Sequence, residues 1–225
     1  MRYPGLNALL ASEGPFMRKL RAYYAFEEAS GTVINSKVGG FSGSVDSNTT
    51  RVAGISGNAL NLPVGSSGNL DNLGLGSDDF SISMWIYFNT LPSAIYNFFT
   101  MTATGQPGLF FRTAGNNSFR VRASSGSTNV DMQSSSFQEE QWYHLGFTRK
   151  KAESGVISRI YFNGNASATN SNVIFNSDFG NDYGIAGSAL NIRLDEMAFW
   201  KDRILSLEEF QELYNSGNGK FYNQF

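Results

Sequence analysis

Large apolar residues alternate with small or polar ones along several segments of the chain. The longest alternation is FSISMWIYF (Phe80–Phe88), in which every second residue from Phe80 onwards is large and apolar. Successive side chains of a strand point to opposite faces, so this pattern predicts a strand with one face in the core. The other face carries Ser81, Ser83, Trp85 and Tyr87, which can also be buried. A central strand of a sheet is therefore expected here.

Ten further segments are predicted strands, because they alternate in the same way or form short apolar runs between Gly, Asn and Ser turns. Their order along the chain favours an all-β antiparallel sandwich of the jelly-roll type. The segments are Arg21–Phe26, Gly57–Val64, Ile95–Thr102, Gly108–Thr113, Ser118–Ala123, Val130–Gln133, Trp142–Arg149, Ser158–Gly164, Asp182–Gly187 and Leu190–Trp200.

One short helix is predicted near the end of the chain, over Ser206–Asn215. Ser206 and Glu209 have the spacing of a capping box, and Gly217 is a stop signal. We expect its apolar face to lie against one edge of the sandwich. That face consists of Leu207, Phe210, Leu213 and Tyr214.

Composition narrows the function classes. The 225 residues include one histidine and carry a net charge of −2. They include no cysteine, so disulfides, thiolate metal sites and thiol catalysis are excluded. The basic run Arg149–Lys151 is typical of a hairpin tip, and nucleic acid is not an expected partner. No segment approaches the roughly 20 apolar residues that a membrane span needs, so membrane insertion is not expected either.

The N-terminal residues 1–18 fit no strand pattern but are too apolar to remain in water at no cost. We predict an N-terminal arm (1–18) followed by one domain (19–225). The arm either folds back onto its own sandwich or docks onto another subunit and orders there. The docking residues would be Leu6, Leu9, Leu10, Phe16 and Met17.

Six segments in order resemble the laminin-G-like, concanavalin A-like jelly roll (the LamG or pentraxin-related superfamily). They are RAYYAFEEASGTVINSKVGGFSGSV, GNALNL, FSISMWIYF, QWYHLGFTR, RIYFNGN and the most specific one, IRLDEMAFWKDRILSLEEFQELYN. The resemblance covers about Leu20 to Asn215. It implies a concanavalin A-like antiparallel β-sandwich with one short C-terminal helix.

The resemblance also implies a structural calcium site and a biological setting. Glu27, Asn35 and Asp195, with carbonyls of the Gly39–Gly40 loop, would be the calcium ligands. The alternative is that Asp195 and Glu196 cap loop amides or pair with Arg193 or Arg203. Similar domains occur in bacteriophage structural proteins, and the apolar arm without a signal peptide is in keeping with a virion component.

Catalysis has little support in the sequence. The acidic pattern of related glycosidases is missing, and the adjacent Glu139 and Glu140 are interpreted as a solvated strand start. No serine or aspartate pattern accompanies the single His144, which is interpreted as a surface or hydrogen-bonded residue. The sequence predicts that the protein is not an enzyme.

The first interpretation is therefore a non-catalytic virion component that is anchored by its arm and oligomeric in an assembly with other subunits. The alternative is a carbohydrate-binding adhesion module, which would be extracellular or at the cell surface, would bind cell-surface glycan and could depend on calcium. A glycan-cleaving enzyme is the third hypothesis. Loop aromatic residues are the expected glycan-binding groups, and the candidates are Tyr96, Phe98, Phe119 and Tyr183.

Overall fold

Two antiparallel β-sheets pack face to face in the computed structural model, which describes residues 14–103, 105, 107–125, 127–153, 155–170, 179–185 and 189–225. Within these residues each sheet has eight strands. Sheet 1 has the order β14-β13-β12-β7-β16-β5-β4, and β1 also pairs with β16. Its strands are β1 (Leu20–Tyr24), β4 (Thr50–Ala53), β5 (Asn58–Leu62), β7 (Phe80–Thr90), β12 (Trp142–Ala152), β13 (Gly155–Phe162), β14 (Asn165–Asn170) and β16 (Asn191–Lys201).

Sheet 2 has the order β11-β10-β9-β8-β15-β6-β3-β2. Its strands are β2 (Val33–Asn35), β3 (Ser42–Val45), β6 (Gly68–Leu70), β8 (Asn97–Thr102), β9 (Gly108–Thr113), β10 (Ser118–Ser125), β11 (Thr128–Ser136) and β15 (Asp182–Ile185). The two sheets confirm the predicted antiparallel sandwich. Five short strands were not predicted, namely β2, β3, β4, β6 and β14.

Aromatic side chains from both sheets fill the space between them. Phe99 of sheet 2 lies with its ring centroid 5.7 Å from that of Phe199 in sheet 1. Phe111 lies 5.5 Å from Phe147 in the same way. All four side chains are fully buried. Such aromatic pairs add to the large apolar area that each ring removes from water, so this layer is the main core.

The outer face of sheet 1 is covered by a second apolar cluster. The helix α1 (Leu207–Tyr214) places Phe210 against Tyr161 of β13, with the two rings stacked 3.9 Å apart. The predicted capping box of Ser206 and Glu209 is present, and the helix ends at Asn215 in the left-handed conformation. This second layer explains why Ser83 and Trp85, on the outer side of β7, are also buried.

The N-terminal residues that the structure describes belong to this second cluster. Phe16 is fully buried, whereas Met17 is partly exposed. Arg203 donates from Nη1 to the carbonyl oxygens of Pro15 and Arg18, at 2.6 and 2.8 Å. Phe16 therefore packs on its own sandwich and offers no surface to another subunit here. The other predicted docking residues, Leu6, Leu9 and Leu10, lie outside the described residues.

No helix in the described part of the chain is both long enough and apolar enough to cross a membrane.

Candidate functional site

The outer face of sheet 2 differs from that of sheet 1 because α1 packs on sheet 1. Within the described residues, no helix covers this second face. Phe110 of β9 is partly exposed there. On one side Phe110 pairs with Thr100 of β8, and Thr100 pairs in turn with Gly184 of β15. On the other side Phe110 lies opposite Arg122 of β10. A polar row therefore crosses the sheet beside one partly exposed aromatic ring.

Alternation along β9 and β10 directs three arginines to this outer face. Leu109, Phe111, Phe119, Val121 and Ala123 are buried, so the intervening residues point outward. Arg120 is the direct register partner of Arg112 on β9 and of Gln133 on β11, and Arg122 is the partner of Asp131. We call this surface the arginine face, and define it by Phe110, Arg112, Arg120, Arg122, Asp131 and Gln133.

The carboxylate of the arginine face, Asp131, contacts two of its three guanidinium groups. Arg122 donates to both oxygens of Asp131 at 2.7 Å, which lowers the pKa of that carboxyl. Arg120 lies 3.6 Å from the same carboxylate and donates to Gln133 Oε1 at 2.8 Å. In the part of the chain that the structure describes, Arg112 has no hydrogen bond or ion pair. Burial, and then repulsion by Arg122, lower its pKa.

The sequence did not single out these arginines as a site. Two predicted strands nevertheless carried the signal: GLFFRT has one arginine, SFRVRA has two at alternate positions, and neither has an acidic residue. Alternation predicts that they share a face, and a hairpin between the strands would bring them together.

Three of the four predicted glycan-binding aromatics lie in the core instead of loops. Phe98 and Phe119 are fully buried, and Tyr183 is 1% exposed, with its hydroxyl accepting a hydrogen bond from Leu75 N. A β-bulge between Asn97 and Phe99 turns both Phe98 and Phe99 inward, which the alternation rule does not foresee. The prediction for these three was wrong. Tyr96 is partly exposed just before β8.

Two carboxylates at one end of sheet 1 hold the loop that precedes β5. Asp195 Oδ2 accepts hydrogen bonds from the N–H groups of Ile55 and Ser56 at 3.0 and 3.3 Å. Glu27 accepts one from Asn58 N at 3.1 Å. The loop passes close to these groups because residue 57 is glycine: a Cβ there would lie 2.1 Å from Glu27 Oε1. Both carboxylates therefore cap loop amides.

The neighbouring Glu196 is in an unusual position. It lies in a β-bulge of β16, its φ of +50° is left-handed, and its Oε2 is buried without a hydrogen-bond partner in the described part of the chain. Burial raises the pKa of Glu196, and burial together with the charge of Glu196 raises that of Asp195. A cavity of about 270 Å³ borders Glu196, Glu27 and Tyr222.

The three predicted calcium ligands do not form a ligand set in this arrangement. Glu27 and Asp195 hold the same loop, but Asn35 is exposed on the edge strand β2, where its N–H donates to Glu28 at 2.7 Å. Both oxygens of Asp195 already accept backbone N–H groups, since Oδ1 is 2.9 Å from Glu196 N. Among the described residues, no group of three or more His, Asp or Glu side chains is placed to hold a metal ion. Calcium binding stays a prediction.

His144 is buried beneath α1 and forms a hydrogen-bonded pair with Ser83. Its Nε2 is 2.8 Å from Ser83 Oγ, so a serine does accompany the histidine, contrary to the sequence analysis. Burial lowers the pKa of His144 to about 3. The cavity beside the pair measures about 10 Å³, which is room for a single water molecule. A substrate therefore has no access to this pair.

Comparison with known proteins identifies the fold family. The family model described as the concanavalin A-like lectin/glucanases superfamily (Laminin_G_3) matches residues 56–211, well over half of the chain. No curated protein matches in sequence.

Solved structures with the same fold include two toxin domains and one domain of an enzyme. The binding domain of Paraclostridial Mosquitocidal Protein 1 is 17% identical with a TM-score of 0.73, covering 90% of this chain and 53% of that one. The binding domain of Botulinum neurotoxin DC, in complex with rat synaptotagmin II, is 14% identical with a TM-score of 0.74, covering 89% and 52%. The chain thus spans about half the length of these toxin domains.

Domain 4 of AbnA, a GH43 extracellular arabinanase from Geobacillus stearothermophilus, is matched over nearly its whole length. This structure, which contains arabinotriose, is 17% identical with a TM-score of 0.71, covering 86% of this chain and 97% of that one. At such identities the likeness concerns the fold alone. Together with the family match over residues 56–211, it shows that the chain belongs to the concanavalin A-like lectin/glucanase superfamily.

Proposed function

We propose that this chain is a glycan-binding module whose ligand lies on the outer face of sheet 2. The observation that carries the proposal is the polar row that crosses this face beside the ring of Phe110. Sugars present hydroxyl groups at their edges and C–H groups on their faces. Arginine and amide side chains suit the edges, and an aromatic ring suits the faces.

The similar structures support a binding role over the virion role that the N-terminal arm suggested. Two are binding domains of toxins, one of them with a protein receptor, and the arabinanase domain is in complex with a trisaccharide. A glycan ligand is preferred over a protein receptor because the arginine face is polar and contains the partly exposed ring of Phe110. Such a module would act outside the cell or at its surface. The virion role stays a prediction.

The proposal is tested with a glycan array, followed by titration calorimetry of any ligand found. Phe110→Ala should weaken binding by roughly tenfold, since one stacked aromatic contact contributes about 1–1.5 kcal/mol. Leu207→Ala is the matched control, because Leu207 is an exposed apolar residue of α1, over the other sheet. A protein that binds no glycan, or a Phe110→Ala variant that binds like the parent, would overturn the proposal.

A further inference from the structure

The arginine face contains an arrangement that is unfavourable unless something binds to it. Arg112 and Arg120 are direct register partners on neighbouring strands. Like charges directly opposite each other destabilise a pair of strands. A sheet that had only to fold would gain from an uncharged or acidic residue at either position. The pair is therefore better explained by a ligand than by stability.

The arginine face also carries an excess of positive charge. Arg122 donates to both oxygens of Asp131, so this carboxylate neutralises the charge of only one of the three guanidinium groups. Arg112 has neither a hydrogen bond nor an ion pair within the described residues, and the Nε atoms of Arg112 and Arg120 are buried without partners. Buried donors of this kind are rare in folded proteins, because each one loses its hydrogen bond to water. A ligand on the surface cannot reach these Nε atoms, but the Nη atoms of Arg112 are not buried and have no partner within the described residues. They are the donors that a ligand can pair with.

The chemistry of the missing acceptor follows from guanidinium geometry. A guanidinium group is planar and presents its donors as a fork that matches the paired oxygens of a carboxylate or sulfate. Phe110 lies directly beside the arginines, opposite Arg122, and offers a ring for the apolar face of a sugar. The guanidinium groups and the Phe110 ring together fit an acidic sugar better than a neutral one.

We propose that the glycan bound on this face is acidic, and that Arg112 and Arg120 bind its carboxylate or sulfate groups. Arg122 is paired with Asp131 and is not assigned to the ligand. This inference rests on the proposed glycan-binding function and adds the chemical class of the ligand.

The test compares polymers that differ in charge and in backbone. Binding of the full chain to polygalacturonate, dextran sulfate, neutral dextran and polyglutamate is measured at one ionic strength by biolayer interferometry. We expect polygalacturonate or dextran sulfate to bind, and to bind at least tenfold more tightly than dextran (about 1.4 kcal/mol). The first two polymers distinguish a carboxylate from a sulfate preference.

Arg112→Gln should weaken binding of the preferred acidic polymer by roughly tenfold or more, as the loss of a charge-assisted hydrogen bond does. Arg159→Gln is the matched control, because it removes the same charge from an exposed position on β13 of sheet 1. Arg120→Gln is the second variant if Arg112→Gln fails to fold. An equal loss in the test and control variants would indicate attraction by net charge alone and would overturn the inference.

The remaining outcomes separate the two proposals. Neutral glycans that bind as tightly as acidic ones would overturn the acidic ligand and leave glycan binding standing. Polyglutamate that binds as tightly as polygalacturonate would overturn the glycan assignment in favour of an acidic peptide. A protein that binds none of these polymers and no array glycan would overturn the proposed function itself.

Discussion

The indole Nε1 of Trp200 donates a hydrogen bond to the carbonyl oxygen of Phe16, 2.8 Å away, and both side chains are fully buried. The contact joins residues 184 positions apart in the sequence. Trp200 is on the last strand of sheet 1, so the described N-terminal residues are part of the layer that covers this sheet. Residues that the sequence assigned to an arm thus contribute to the stability of the domain.

We expect Phe16→Ala to lower the free energy of unfolding by about 3–5 kcal/mol, because it removes a buried aromatic side chain and leaves a cavity beside Trp200. The measurement is urea unfolding followed by tryptophan fluorescence. Met17→Ala is the control, since Met17 is partly exposed, and its cost should be below about 1 kcal/mol. Equal and small losses in both variants would show that these residues are an independent arm.

Protonation of the buried His144 should cost the protein stability in acid. Its pKa is about 3 in the folded state, against an ordinary value near 6.5. Between these two pH values the unfolded chain binds a proton at this residue that the folded chain does not, so the contribution of His144 to stability falls as the pH drops below 6.5. At about 1.4 kcal/mol per pH unit, the loss from this residue at pH 4.5 is about 3 kcal/mol. The raised pKa values of Asp195 and Glu196 act in the opposite direction, so the effect of His144 has to be isolated by substitution.

His144→Gln tests this expectation, because glutamine can still hydrogen-bond Ser83 but does not titrate. The free energy of unfolding of each protein is measured by urea titration at pH 7 and at pH 4.5. The change from pH 7 to pH 4.5 should be less unfavourable by about 3 kcal/mol in the variant than in the parent. Identical changes in the two proteins would mean that folding does not lower the pKa of His144. The other charged groups that border the small cavity beside His144 are Glu196 and Lys220. Both are present in the parent and in the variant, so the comparison isolates the titration of His144.

The strands that the sequence predicted are those with an apolar face, such as β7, where Phe80 to Phe88 alternate into the core. The five that it missed have three to six residues each and are largely polar. Three of them, β2, β4 and β14, lie at sheet edges. Such edge strands form mainly because their backbone pairs with a neighbouring strand. This pairing does not require an apolar face, so the sequence of side chains does not reveal it.

The candidate site was less predictable than the fold because it depends on register. SFRVRA shows that Arg120 and Arg122 share a face, but only the hairpin at residues 114–117 places Arg112 opposite Arg120. In the same way, the bulge before Phe99 reversed the assignment of Phe98 from surface to core. A shift of one residue exchanges the two faces of a strand. The alternation of apolar and polar residues therefore could not predict the pairing of Arg112 with Arg120 or the burial of Phe98.

Gly146 of β12 should be required for the docking of α1. A Cβ at this position would lie 2.4 Å from the ring of Phe210, which stacks on Tyr161. We expect Gly146→Ala to push the helix away and to cost about 1–3 kcal/mol of unfolding free energy, as overpacking does. Gly115→Ala is the matched control, because a Cβ there meets nothing within 4 Å. Thermal unfolding by circular dichroism should show a lower Tm for the first variant only.

Asp195 should be a major contributor to stability through the loop that it holds. Asp195→Ala would leave the N–H groups of Ile55, Ser56 and Glu196 without their acceptor, and each buried unpaired group costs about 1–3 kcal/mol. We expect a total loss of at least about 2 kcal/mol in urea unfolding. Asp71→Ala is the control. Asp71 also accepts a backbone hydrogen bond, from Ser42 at 2.6 Å, but it is exposed, so water can replace it.

Chelation distinguishes this capping role from the calcium role that the family resemblance implies. Asp195 already accepts three N–H groups, and Asn35 is exposed on an edge strand beside Glu28, so we expect EDTA to leave Tm unchanged. The loss in Asp195→Ala should likewise be equal with and without EDTA, because the loop is held by hydrogen bonds alone. A Tm that falls in EDTA and is restored by calcium but not by magnesium would contradict both expectations. It would also show that Asp195 binds a cation in addition to the loop amides, since a carboxylate can serve both as ligand and as acceptor.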